Sequence, residues 1–150
     1  MKKAISSRTA IYTRFAIFNT RKPGWACKDC RVVNPTKGPC LNCGSEKYWY
    51  LASKPEQIRF GQLCAMERRG EIQDLRFQVA VPLDVLAEHH GKYVTVATYR
   101  ADAVYSKDGN LVVEDVKGKE VPITRESALK MKLFNVTMAP VRVEIVRIKS

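Results

Sequence analysis

The chain has 150 residues and a formal net charge of +11, because 26 Lys and Arg side chains outnumber 15 Asp and Glu. A hydrophobic fraction of 45% excludes a wholly disordered chain, and no apolar run reaches the roughly 20 residues of a membrane span. The basic N-terminus is not followed by the apolar stretch of a secretory signal, so we expect a cytoplasmic protein. A positive balance of this size is typical of proteins that bind nucleic acid or another polyanion.

Charge and cysteine are unevenly distributed along the chain. Residues 1–53 contain ten Lys or Arg, only two acids, and four of the five cysteines. This asymmetry predicts a basic N-terminal segment with a cysteine module, residues 1–52, followed by a separate domain, residues 53–150.

The cysteine module consists of two Cys-x2-Cys pairs, Cys27 with Cys30 and Cys40 with Cys43. Each pair offers two thiolates, and the short loop between the pairs lets all four converge on one tetrahedral ion. Disulfide bonds are the alternative, but a reducing cytoplasm disfavours them. We expect a closed, structural zinc site, since four protein ligands leave no open position for catalysis.

A helix is predicted directly after the module. Ser53-Lys54-Pro55-Glu56 matches the capping box, with Pro in the first turn, and Gly70 marks the end of the helix. Glu56 lies on the helical stripe of Phe60 and Leu63, which should face the sheet. Two roles for Glu56 follow, the capping acid and a third carboxylate pointing toward the sheet.

The residues after Gly70 contain the remaining predicted elements. Alternation and composition predict strands at 75–81, 94–105, 111–117 and 141–148, and a helix at 126–136. A less regular segment, 82–91, contains His89-His90, which we place in a surface loop. The order α-β-β-β-α-β predicts a mixed α/β domain.

The second and third strands form a predicted hairpin with two facing carboxylates. With Asp108-Gly109 as a two-residue loop, Asp102 faces Asp115, and Lys117 lies on the same face. Facing carboxylates repel unless a cation lies between them, and such hard oxygen ligands suit Mg²⁺ or Mn²⁺. A pair of solvated hairpin acids is the alternative.

The N-terminal module contains an ordered set of Trp, Cys and Asn residues, namely Trp25, Cys27, Cys30, Asn34, Cys40 and Cys43. This set resembles the Ran-binding-protein-2-type zinc finger, a family that binds single-stranded RNA or ubiquitin-like partners. Trp25 is a candidate for stacking on a base, because every base offers a π-face. Packing of its ring around the metal site is the alternative.

Two segments of the hairpin, Tyr99-Arg100-Ala101-Asp102 and Glu114-Asp115-Val116-Lys117-Gly118, resemble the PD-(D/E)xK signature of the restriction-endonuclease-like nucleases. That superfamily has an α-β-β-β-α-β core, a mixed sheet flanked by helices. A closer resemblance, over about residues 53–148, is to a poorly characterised phage and prophage family within it. This implies a restriction-endonuclease-like fold behind a zinc ribbon or knuckle, in a bacterial or phage-infected host cell.

What the resemblance implies is a Mg²⁺-dependent endodeoxyribonuclease. Asp102, Asp115 and the backbone carbonyl of Val116 would hold the metal. Glu56 would complete the shell of ligands around it, directly or through a water molecule. Lys117 would position or activate the attacking water. The candidates for contacts to DNA phosphates are Lys130, Lys132 and Arg125.

Three functions from different classes remain open at this point. The first is an endonuclease of branched or duplex DNA; small nucleases of this fold include Holliday-junction resolvases, which act as homodimers. The second is a non-catalytic, zinc-containing nucleic-acid-binding protein that uses the nuclease fold as a scaffold. The third is an interaction adaptor that acts through the zinc finger.

Overall fold

The computed structural model describes residues 23–89 and 91–149. The chain divides into two compact units, with the division between Ala65 and Met66. His90 lies outside the described residues, as does the basic N-terminal stretch before Pro23 with its Lys2, Lys3, Arg8, Arg14, Arg21 and Lys22.

A small antiparallel sheet forms the start of the N-terminal unit. Its strands are β1 (Gly24–Cys27), β2 (Val33–Asn34) and β3 (Tyr48–Leu51), in the order β2-β1-β3. Gly24 permits the close approach of β1 to β2, because a Cβ at this position would lie only 2.6 Å from Cγ1 of Val33.

Helix α1 (Lys54–Arg68) begins at the predicted capping box. The Ser53 hydroxyl accepts a hydrogen bond from the backbone N–H of Glu56 at 3.3 Å and donates one to its carboxylate at 2.9 Å. At the other end Gly70 has φ +73, and the N–H groups of Gly70 and Glu71 bond back to the carbonyls of Glu67 and Met66, both at 3.0 Å. This is the Schellman arrangement that a glycine favours after a helix.

The C-terminal unit is built on a mixed sheet. Its elements are β4 (Gln73–Ala87), β5 (Lys92–Lys107), β6 (Asn110–Gly118), α2 (Arg125–Thr137) and β7 (Val143–Ile148). The strand order is β4-β5-β6-β7, with antiparallel pairs up to β6 and a parallel pair of β6 with β7. The predicted mixed α/β class and element order are confirmed at this level.

The first strand of this sheet is longer than the sequence predicts. Residues 82–87, which we expected to be irregular, continue β4 and pair with β5. Pro82 is the reason for the wrong prediction, because proline usually interrupts a strand. It lies on β4, which is an edge strand of the sheet, and it pairs with Thr98 of β5. An edge strand tolerates proline because the missing N–H can point away from the ladder. His89 lies exposed in the connecting turn, as expected.

The β5–β6 hairpin has the predicted two-residue turn. Asp108 and Gly109 have φ of +51 and +78, the left-handed values of a type I′ turn. Pairing runs from Lys107↔Asn110 to Ala103↔Glu114, so the predicted register is confirmed over these residues. The predicted facing pair, Asp102 with Asp115, lies just beyond the last residues that pair.

One core cluster joins helix α2 to the sheet. Its buried members come from all of β4, β5, β6 and α2 and are Leu83, Tyr99, Ala101, Val104, Val113, Met131 and Phe134. The rings of Tyr99 and Phe134 have centroids 5.2 Å apart, so an aromatic pair anchors the helix beside the hairpin.

We expect Gly109→Val to destabilise the protein by about 1–2 kcal/mol, because a β-branched residue resists a positive φ. Nothing lies within 4 Å of a Cβ built on Gly109, so backbone conformation alone would cause the loss. Gly61→Ala is the matched control: its helical position is equally open, and we expect a gain of roughly 0.5–1 kcal/mol. Equilibrium denaturation measures both changes, and an unchanged Gly109→Val would contradict the role of the turn.

Candidate functional site

The four cysteines of the N-terminal module converge. All four Sγ atoms lie within 4.8 Å of one another, and Cys27–Cys43 and Cys30–Cys40 are each 3.5 Å apart. A tetrahedral ion with Zn–S bonds of about 2.3 Å needs sulfur atoms roughly 3.8 Å apart, whereas a disulfide needs about 2.0 Å. The cluster therefore fits a metal such as zinc and not a pair of disulfides.

The two Cys-x2-Cys pairs lie in two equivalent turns. The N–H of Cys27 donates to the carbonyl of Val32, and that of Cys40 to Ser45, both at 2.8 Å. The fifth residue of each turn bonds back to the first cysteine, Arg31 at 3.1 Å and Gly44 at 2.7 Å. Both of these residues have positive φ, +62 and +75. The equivalence explains why the turns present their thiols in the same way.

Asn34 connects the second turn to the sheet. Its buried amide accepts the N–H of Leu41 at 3.0 Å and donates to the Sγ of Cys40 at 3.5 Å. Burial raises the pKa of the Cys40 thiol, but N–H groups of Cys43 and Asn42, followed by Asn34, outweigh burial and lower it to about 6. Burial raises the pKa of Cys30 to about 12. A divalent cation would displace the remaining protons and stabilise the cluster.

Aromatic rings lie on both faces of the module's small sheet, because the neighbouring residues Trp49 and Tyr50 of β3 point to opposite sides. The guanidinium of Arg31 lies 4.8 Å from the ring centre of Trp49, and the ammonium of Lys28 lies 5.4 Å from it. Trp25 is half-buried, and its ring centre is 5.6 Å from that of Tyr50. Trp25 thus makes the packing contact that was the alternative to base stacking, and its role toward nucleic acid stays a prediction.

In the C-terminal unit, Asp102 lies where the recorded β5–β6 pairing ends. Its Oδ2 accepts the backbone N–H of Val116 at 2.7 Å, so the side chain replaces a backbone acceptor for β6. Its Oδ1 accepts the Nε2 of Gln78 at 3.5 Å. Asp102 is therefore held from two neighbouring strands.

Asp115 is the buried member of the pair. Its side chain is 8% exposed, and its Oδ2 lies 2.9 Å from the Nζ of Lys117. That contact is an ion pair without hydrogen-bond alignment, and within residues 23–89 and 91–149 no other group donates a hydrogen bond to Oδ2. The hydroxyl of Tyr99 donates to Oδ1 at 3.5 Å. Lys117 and Asp115 thus lie side by side on one face of β6, and their role with Asp102 in holding a metal stays a prediction.

Tyr99 connects both aspartates to the core. Burial, and then the charges of Asp115 and Asp102, raise the pKa of its phenol well above the usual range. The hydroxyl accordingly stays protonated and serves as a donor to Asp115.

The neighbouring acid, Glu114, has a different environment. It is 1% exposed and accepts the Tyr105 hydroxyl at 2.6 Å. Because successive residues of a strand point to opposite faces, Glu114 faces away from Asp115. Its carboxylate therefore pairs with Tyr105 within the opposite face of the sheet, away from Asp102 and Lys117.

The other predicted site residues have the following positions. Glu56, in the N-terminal unit, uses its carboxylate for the N–H of Ala52 at 3.1 Å and the Ser53 hydroxyl at 2.9 Å, so the capping role is observed. On α2, Arg125 and Lys132 are exposed, and Lys130 forms an ion pair with Glu126 at 2.8 Å. Metal binding by Glu56 and DNA binding by the α2 cations stay predictions.

Sequence reasoning did not single out Gln78 or Glu114 and gave no role to Tyr99. Gln78 follows an ordinary strand pattern, and no residue near it signals a positive φ. Tyr99 appeared only within a motif. Its contact with Asp115 joins residues 16 positions apart in the chain and has no local sequence signature.

Comparison with known protein families identifies the chain as a member of the family described as "Protein of unknown function (DUF1064)", which matches residues 46–150. The match includes α1 and the whole C-terminal unit. Searches of curated proteins and of solved structures gave no match. Over residues 23–89 and 91–149, no helix is both long and apolar enough for a membrane crossing.

We expect purified protein to contain one zinc ion per chain and Cys27→Ser to lose it, because three thiolates bind zinc far more weakly than four. Cys64→Ser is the matched control, since Cys64 is a buried cysteine outside the cluster. Metal analysis together with native mass spectrometry measures the content of each variant. Folded wild-type protein without metal, or equal zinc loss in Cys64→Ser, would contradict the assignment.

Proposed function

We propose that this protein is a metal-dependent DNA endonuclease of the PD-(D/E)xK, restriction-endonuclease-like kind. The proposal is supported above all by the ion pair of Asp115 with Lys117 and by Asp102, whose carboxylate accepts the N–H of Val116, the residue between Asp115 and Lys117. The element order and the mixed sheet agree with such a core.

The donor set suits a hard divalent cation. Among the described residues, no aligned hydrogen-bond donor reaches the buried Oδ2 of Asp115, so this oxygen retains a lone pair for a metal. Asp102 and the backbone carbonyl of Val116 would supply further oxygen ligands, as Mg²⁺ or Mn²⁺ prefers. Such an ion would lower the pKa of a bound water and neutralise charge that develops on the phosphate.

Each protein group at the site has a distinct task in this mechanism. Lys117 is 23% exposed at its side chain and lies beside Asp115, where its ammonium could orient the attacking water or bind a phosphate oxygen. The Tyr99 hydroxyl donates to Oδ1 of Asp115 and Lys117 pairs with Oδ2, so a metal would share Oδ2 with the ammonium group. Val116 uses its N–H to fix Asp102, so its own carbonyl is positioned at the same place.

The proposed substrate is branched or duplex DNA. Lys130, Lys132 and Arg125 would contact DNA phosphates, and Trp25 would contact a base. Recognition of shape and phosphate is favoured over base sequence, because phosphate contacts position a protein without specifying sequence. A branched substrate, such as a Holliday junction cut by a homodimer, fits this mode of recognition.

A second candidate is a non-catalytic zinc-containing nucleic-acid-binding protein or interaction adaptor. It is favoured by the surface where Lys28 and Arg31 lie over Trp49. Cations and aromatic faces of this kind suit single strands as well as protein partners.

The test is a cleavage panel of junction, flap, duplex and single-stranded DNA with Mg²⁺ or Mn²⁺. We expect cleavage of at least one substrate by the wild type and a loss on the order of 100-fold or more in Asp115→Asn, because the metal would lose a charged ligand. DNA binding by Asp115→Asn should persist in a gel-shift assay.

Asp108→Asn is the matched control for that loss. It removes a carboxylate from the same hairpin, and Asn tolerates the positive φ of the turn. We expect its cleavage rate to equal that of the wild type. If the wild type binds DNA but cuts no substrate, the nuclease proposal is overturned and the non-catalytic nucleic-acid-binding function remains. If it binds a partner protein in a salt-insensitive way and has no affinity for DNA, the interaction adaptor is favoured.

A further inference from the structure

Two residues of strand β4 have a positive φ, a backbone conformation that residues other than glycine rarely adopt. Asp74 has φ +54 and Gln78 has φ +53, and the left-handed region costs an L-residue about 1–2 kcal/mol. Asp74 lies in a register shift between Gln73 and Arg76, which accounts for its conformation.

Gln78 has no register shift beside it. Phe77 pairs with Ala103 and Val79 with Ala101, so the same register continues on both sides of Gln78. The residue between those partners on β5 is Asp102. The unfavourable conformation therefore lies directly across from a predicted metal ligand, a placement that is typical of functional sites.

The side chain of Gln78 points to that ligand. Its Nε2 donates to Oδ1 of Asp102 at 3.5 Å, while Oδ2 accepts the N–H of Val116 at 2.7 Å. One oxygen is thus held from β4 and the other from β6. The contact resembles the second-layer hydrogen bonds that orient metal-binding carboxylates.

The local strand geometry also changes at this point. Ala101 and Val104 belong to the same core cluster although three positions separate them. Residues an odd number apart lie on opposite faces of a regular strand, so the alternation of β5 is interrupted at Asp102 or its neighbour. Interruptions of this kind re-aim side chains next to active sites.

We infer that Gln78 is a positioning residue for Asp102, an inference that rests on the proposed metal site. The left-handed backbone at residue 78 directs the amide toward Oδ1 and so restricts rotation of the carboxylate. Without the amide, the site must order Asp102 when the cation binds, and its affinity falls. Loss of such outer hydrogen bonds typically lowers metal affinity by about 10- to 100-fold.

The experiment measures Mn²⁺ affinity by calorimetry on the full-length, zinc-loaded protein without DNA. Gln78→Met keeps the length of the side chain but removes its donor, and Gln78→Gly also relieves the backbone. We expect both to weaken Mn²⁺ binding by about 10- to 100-fold. Asp74→Gly relieves the same conformation in the same strand, and we expect wild-type affinity for it. Thermal unfolding verifies that all variants fold.

The measurements on the variants and on the wild type test the role of the Gln78 amide and the metal site separately. Wild-type affinity in Gln78→Met, or an equal loss in Asp74→Gly, would overturn the role of the amide while leaving the metal site intact. Absence of Mn²⁺ binding in the wild type would overturn the proposed metal site and, with it, this inference. In the cleavage assay we expect Gln78→Met to reach the wild-type kcat at saturating Mn²⁺, because the variant differs only in how much metal it binds. A kcat that stays below the wild-type value at saturating Mn²⁺ would overturn positioning as the mechanism.

Discussion

The C-terminal site depends on the geometry of one two-residue turn. Asp108 and Gly109 take left-handed conformations, and this turn sets the pairing of β5 with β6. A slip of one residue would move every side chain of β6 to the other face. Glu114 would then take the place of Asp115 on the face of Tyr99, and the Asp115–Lys117 pair would move together to the opposite face. The local turn thus determines which acid of the Glu-Asp pair lies beside Tyr99.

The site is also a place of electrostatic conflict. A buried aspartate, Asp115, pairs with Lys117 and accepts a hydrogen bond from a protonated tyrosine, Tyr99, whose phenol also lies within the influence of the Asp102 charge. Neighbouring carboxylates destabilise a fold unless a cation compensates them, and such compromises are common where function outweighs stability. The phenol and the lysine reduce the cost in the protein alone, and a metal would reduce it further.

Local rules account for what the sequence predicted well. The capping box, the closing Gly70, the Asp-Gly turn and the Cys-x2-Cys spacing all depend on neighbouring residues, and each forms as expected. The extension of β4 beyond Pro82 was missed because proline is acceptable only at an edge, which the final sheet order decides. The conformation of Gln78 was unpredictable for a related reason: packing of three strands imposes it, against the residue's own preference.

The cysteine cluster has a consequence for the charge of its module. Residues 23–53 contain four bases and two acids, so four thiolates with one bound Zn²⁺ bring that segment from +2 to about zero. Six of the 26 bases, and no acid, lie in residues 1–22. The positive charge of residues 1–53 therefore lies in the N-terminal stretch, and the metal-loaded module is close to neutral. Gain or loss of the metal changes the charge of the chain by about two, enough to separate the loaded and empty forms by ion exchange.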